Sequence, residues 1–120
     1  MVALRESLDA VIAFQPQLIL VSAGFDAHAD DPLGGMRLTA AEFVRLTAAV
    51  CAIADECCEG RVVALTEGGY DLKALADCTR AVGHTLAGRT PDVPAVDGDT
   101  ARAAATCAAV APGLRAYWQL

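Results

Sequence analysis

Asp26, His28, Asp30 and Asp31 crowd into one short stretch, and carboxylates and an imidazole at that density are groups that ligate divalent metals or move protons. A second polar group follows in Glu67-Gly-Gly-Tyr-Asp71, where a phenol stands behind two glycines. A phenol can donate a hydrogen bond to a carbonyl oxygen and to the anion that develops on it. Gly68 and Gly69 would let the backbone approach a substrate closely. The pattern therefore suggests a metal ligand, Asp26, beside a hydrogen-bond donor, Tyr70. Plainer readings stand next to it. Asp26 could cap a turn, Tyr70 could be a half-buried core phenol, and Asp30 and Asp31 could form a solvated turn. A structural role suits Asp31 better than a catalytic one. His28 reads as a loop residue facing solvent or backing a ligand, and His84 as a surface histidine.

The elements that must position these groups follow from periodicity. Leu18 to Val21 is a continuous apolar run, as in a strand covered on both faces, and the strand is expected over 18–23. The acidic cluster then lies just past its carboxyl end, where open α/β sheets take their ligands. Leu4, Leu8, Val11 and Ile12 predict a helix over 2–14, ended by Pro16. Residues 25–38 exceed the usual connection of about 2–6 residues, which marks a functional loop. Thr39-Ala-Ala-Glu42 is a capping box, and Phe43, Leu46, Val50 and Ile53 form one apolar stripe, so a helix is expected over 40–58 with Gly60 closing it. A second strand is expected over 61–66. Asp71 then caps a third helix with Leu72, Leu75, Val82 and Leu86 on its face and Gly88 at its end. Residues 89–99 read as a surface loop and 101–109 as an Ala-rich helix. Pro112 and Gly113 interrupt that helix before a last turn anchored by Trp118. The order is that of an α/β fold with parallel pairing. A right-handed crossover brings both strand ends to one edge, so the Asp26 and Tyr70 loops should face one cleft.

Composition narrows the classes. The chain has 120 residues, 55% of them hydrophobic, with a net charge of −6 and a pI near 4.6. One domain is expected, and the acidic balance argues against direct nucleic-acid binding or an anionic membrane partner. No apolar run approaches the roughly 20 residues that span a bilayer, and no signal peptide is visible at the start. Five cysteines, none in a C-x-x-C pair, read as small hydrophobes rather than a disulfide or zinc-ribbon framework. Reduced thiols of that kind fit a cytoplasmic protein. Neither G-x-G-x-x-G nor a P-loop is present, which weakens a mononucleotide-binding reading.

Ser-Ala-Gly-Phe-Asp-Ala-His-Ala-Asp-Asp-Pro-Leu-Gly-Gly over 22–35, followed by Thr-Glu-Gly-Gly-Tyr-Asp over 66–71, resembles the zinc-dependent histone deacetylase family. The likeness is closest to its bacterial acetoin-utilization-like and class II branches, and covers residues 1–88. It implies an α/β domain on a mainly parallel sheet, shared with arginases. It also implies that Asp26 is a zinc ligand and that Tyr70 donates to the substrate carbonyl and the oxyanion. By the same resemblance Leu33, Gly68 and Gly69 contact the acyl-lysine substrate, while Gly24, Asp31 and Pro32 shape the loop. Tyrosine rather than histidine at position 70 implies the more active deacetylase branch. The implied reaction is metal-assisted hydrolysis of an N-acetyl amide on a protein lysine or a small acetylated amine.

The family's remaining zinc ligands, an Asp-x-His pair, and its tandem histidines have no counterpart here. His28 and His84 are the only histidines, and Asp26-Ala-His28 lies in the later motif. Residues 1–120 are therefore expected to be the C-terminal part of one catalytic domain, with 89–120 as a loop and terminal helix. Such a piece would act only with the missing part, in the same protein or supplied by a partner. The alternative is a non-catalytic, stand-alone α/β module. If the parent sheet continues through missing strands, the unpaired edge and uncovered apolar faces of the fragment should make the isolated chain associate or be poorly soluble.

Overall fold

The computed structural model describes residues 2–93 and 100–117. It contains α1 (Val2–Phe14), β1 (Ile19–Ala23), α2 (Ala40–Cys58), β2 (Val62–Thr66), α3 (Leu72–Leu86) and α4 (Ala101–Leu114). β1 and β2 form a parallel pair in the register Ile19–Val62 through Ala23–Thr66, joined by the α2 crossover. Each boundary has a local cause. α1 stops at Phe14 because Gln15, ahead of Pro16, takes a left-handed conformation (φ 53°). The α2 capping box forms: Glu42 reaches back to the Thr39 amide at 2.8 Å and to its hydroxyl. At the other end of α2, Glu59 and Gly60 both adopt positive φ, so the left-handed exit begins one residue before the glycine. Asp71 caps α3 by accepting from the Ala74 amide at 2.7 Å.

α2 and α3 pack on each other, and over one face of the sheet Phe43 of α2 and Val82 of α3 line an apolar cleft of about 160 Å³ together with Val21, Ala23, Val62 and Ala64 of the strands. α1 packs on α2 and α4. The core sits at the carboxyl end of the strands. Phe25 and Phe43 meet edge to face with ring centroids 5.2 Å apart, and Cys78 and Val82 close around them. Burying each ring contributes roughly 1.5–3 kcal/mol, and the edge-to-face pair about 0.5–1.5 kcal/mol beyond that. The long loop is thus anchored from beneath by its own Phe25.

Two expectations are corrected. β1 is not covered on both faces: Ile19, Val21 and Ala23 are partly covered, while Leu20 is 65% exposed and its neighbours Val63 and Leu65 are also open. Helices lie against one face of the sheet, so the apolar run has cover for only half of its side chains. α4 is not interrupted at Pro112 but runs to Leu114. Proline has a helical φ, so the helix continues through it at the cost of its own hydrogen bond and of crowding the carbonyl four residues earlier, and the Arg115 amide still reaches the Ala111 carbonyl at 2.9 Å. Trp118 and residues 94–99 of the 89–99 loop lie outside the described residues. All five cysteines are free thiols on α2, α3 and α4.

Candidate active site

The strand ladder continues into the two loops. The Glu67 amide donates to the Ala23 carbonyl at 3.2 Å, and the Phe25 amide donates to the Gly68 carbonyl at 2.8 Å. These bonds bring Asp26 against the second loop. A Cβ on Gly68 would fall 2.8 Å from Asp26 Oδ2, and one on Gly24 would fall 3.0 Å from Asp26 Oδ1. Both glycines therefore leave room for the Asp26 carboxylate itself. That carboxylate is exposed and accepts no hydrogen bond from any described residue.

Asp31 does the turn capping. It is buried, at 7% exposure. Its Oδ1 accepts from the Leu33 and Gly34 amides, both at 2.9 Å, and its Oδ2 accepts from the Tyr70 amide at 2.8 Å. Loss of water pushes the Asp31 carboxyl up, but the amides of Tyr70, Leu33, Gly34 and Asp71 outweigh this and hold it below the ordinary carboxylate range. The turn that includes Pro32 crosses the Asp26 backbone so closely that a Cβ at Gly34 would lie 1.7 Å from the Asp26 carbonyl oxygen. Glycine is the residue that fits there.

Tyr70 stands 55% exposed, so it is not a core phenol, and Leu33 is 73% exposed beside it in the same pair of loops. Gly69 adopts φ +126°, and a Cβ there would meet Phe25 Cβ and Leu75 Cδ1. Its close approach is to the core beneath, rather than to open space. His28 differs from the solvent-facing alternative. Its side chain is only 13% exposed, and Nδ1 accepts from the Asp30 amide at 3.2 Å. The backbone bridge between His28 and Leu38 closes the loop and turns this ring inward. His84 is exposed on α3, away from both loops. The sequence reading passed over Phe25, the residue that seats the loop. Alternation was the available signal: with Gly24 and Asp26 facing the cleft, the residue between them faces the core.

The family model of the histone deacetylase domain matches residues 1–86. This chain belongs to the histone deacetylase family. It is 48% identical over 79 residues to a chloroplastic histone deacetylase 10 of Oryza sativa subsp. japonica, covering 62% of this chain and 18% of that protein. It is 43% identical over 84 residues to a histone deacetylase-like amidohydrolase of Pseudomonas aeruginosa, covering 70% of this chain and 22% of that protein. The solved histone deacetylase Clr3 superposes on 98% of this chain with a TM-score of 0.78 and 29% identity, over 20% of its own length. The chain thus spans only about a fifth of each of these three proteins. Its fold is the α/β fold of the deacetylases and arginases, present as a small parallel pair with flanking helices.

Among the described residues no three His, Cys, Asp or Glu side chains stand together as a metal site. A catalytic zinc takes three protein ligands. Asp26 supplies one suitable donor, so the described residues alone do not fit the ion.

Proposed function

We propose that this chain provides part of a deacylase active site that hydrolyses an N-acetyl or related acyl amide on lysine or a lysine-like amine. In this reading Asp26 is one metal-ligating carboxylate, and Tyr70 donates a hydrogen bond to the acyl carbonyl and then to the oxyanion. The other donors and the general base come from polypeptide beyond the described residues. The observation that carries the reading is the Asp26 carboxylate, free of hydrogen bonds from the described residues and pressed against Gly24 and against Gly68, which stands two residues before the exposed Tyr70. A carboxylate kept free of amides, with side-chain space cleared on both sides, is suited to a ligand from outside the chain. In this reading Leu33, exposed on the neighbouring turn, lines the path of an aliphatic side chain. Acetylated protein and small acetylated amines both fit these groups.

The test is Tyr70→Phe in the intact protein that carries this chain. Removing one oxyanion donor typically lowers kcat by about 10²–10³, and the metal content should not change. An unchanged rate would overturn the assignment. A second reading, a non-catalytic module, is favoured by one observation, that the described residues hold no complete ligand set. Zinc bound in proportion to intact protein, and lost in Asp26→Ala, would exclude it.

A further inference from the structure

Among the described residues, Asp31 is the one side chain that bonds both candidate active-site loops. One carboxylate oxygen takes the Leu33 and Gly34 amides, and the other takes the Tyr70 amide across a separation of 39 residues. We propose that Asp31 is a positioning residue for Tyr70, its carboxylate setting the phenol at a fixed distance from the turn that carries Leu33. What the phenol then does rests on the deacylase reading above; how it is held does not.

The residues on either side of Tyr70 are fixed by other means. Gly69 is wedged over Phe25 and Leu75 at positive φ, and Asp71 caps α3. Tyr70 is the link between them, and Asp31 Oδ2 is the acceptor of its amide. A carboxylate is required for this tie. Ionised, it is acceptor-only on both oxygens, whereas asparagine offers one acceptor oxygen and one NH2 donor. With its oxygen on Leu33 and Gly34, an asparagine would point NH2 at the Tyr70 N–H. With its oxygen on Tyr70, it would confront the two turn amides. Asp31→Asn therefore breaks one half of the bridge while keeping size and shape.

Amide hydrogen exchange read by mass spectrometry, on the intact protein and its Asp31→Asn variant, tests the tie directly. In the unmodified protein the Tyr70 amide should exchange at least roughly tenfold more slowly than an open loop amide; exchange at the open-loop rate would overturn the proposal without any variant. In Asp31→Asn, protection should fall at Tyr70 or at Leu33 and Gly34, with α2 and α3 unchanged. Full retention at all three would also overturn it. Turnover tests positioning apart from folding. Asp31→Asn should lower kcat by up to about a hundredfold with KM unchanged, and should add no further loss in a Tyr70→Phe background. Independent, multiplying losses would mean that Asp31 acts other than through Tyr70. Absence of turnover in the unmodified protein would sink the deacylase reading, and exchange alone would then decide the tie.

Discussion

Asp26 and Asp31 are the same side chain in the same loop, and their surroundings give them opposite properties. Asp26 meets glycines and, among the described residues, no donors, while Asp31 meets amides on both oxygens. The difference has a consequence in acid. The folded state holds Asp31 below its ordinary value, so folding favours the ionised form. Its contribution to stability is fully present above the unfolded value near 4, and is lost as pH falls through the lower folded value. Acid titration followed by circular dichroism should show stability falling below about pH 4, with a shallower fall in Asp31→Asn. Equal slopes would remove Asp31 from the account. At this scale the sequence revealed which residues matter, but not which carboxylate the turn amides would choose. That choice depends on the Gly34 crossing over Asp26, a contact that spacing alone does not encode.

The first three helices were legible nearly to the residue because their ends carry local chemistry: Pro16 after α1, the Thr39–Glu42 box before α2, Asp71 before α3. The α2 start is the one to probe. The Thr39 hydroxyl, its amide and the Arg45 guanidinium at 2.9 Å together hold the Glu42 carboxyl below its usual range, against partial burial. α2 carries Phe43, the partner of Phe25, so its first turn also supports the loop above. Thr39→Ala should cost about 0.5–2 kcal/mol in chemical denaturation; a change within error would mean that the cap is redundant. The covering of the strands was not legible. An unbroken apolar run looks the same whether or not anything covers its second face, because it records only what the strand can bury.

For the molecule as a whole, that second face dominates. Leu20, Val63 and Leu65 form an open apolar strip on a pair of strands whose outer edges are unpaired among the described residues. The 120-residue chain in isolation should therefore self-associate at micromolar concentration. Light scattering should show this, and Leu20→Lys with Leu65→Lys should reduce it; a monodisperse unmodified monomer would contradict it. The Asp31 bridge also bears on the order of events in time. It joins segments 39 residues apart, and the Tyr70 loop has nothing to dock on until β1 and β2 have paired around α2. Closure over such a distance has an entropic cost that precedes the contact, so the bridge should form after the rate-limiting step. Stopped-flow kinetics of Asp31→Asn should then show faster unfolding with refolding almost unchanged. The loops that hold Tyr70 would be the last part of this chain to assemble and the first to open.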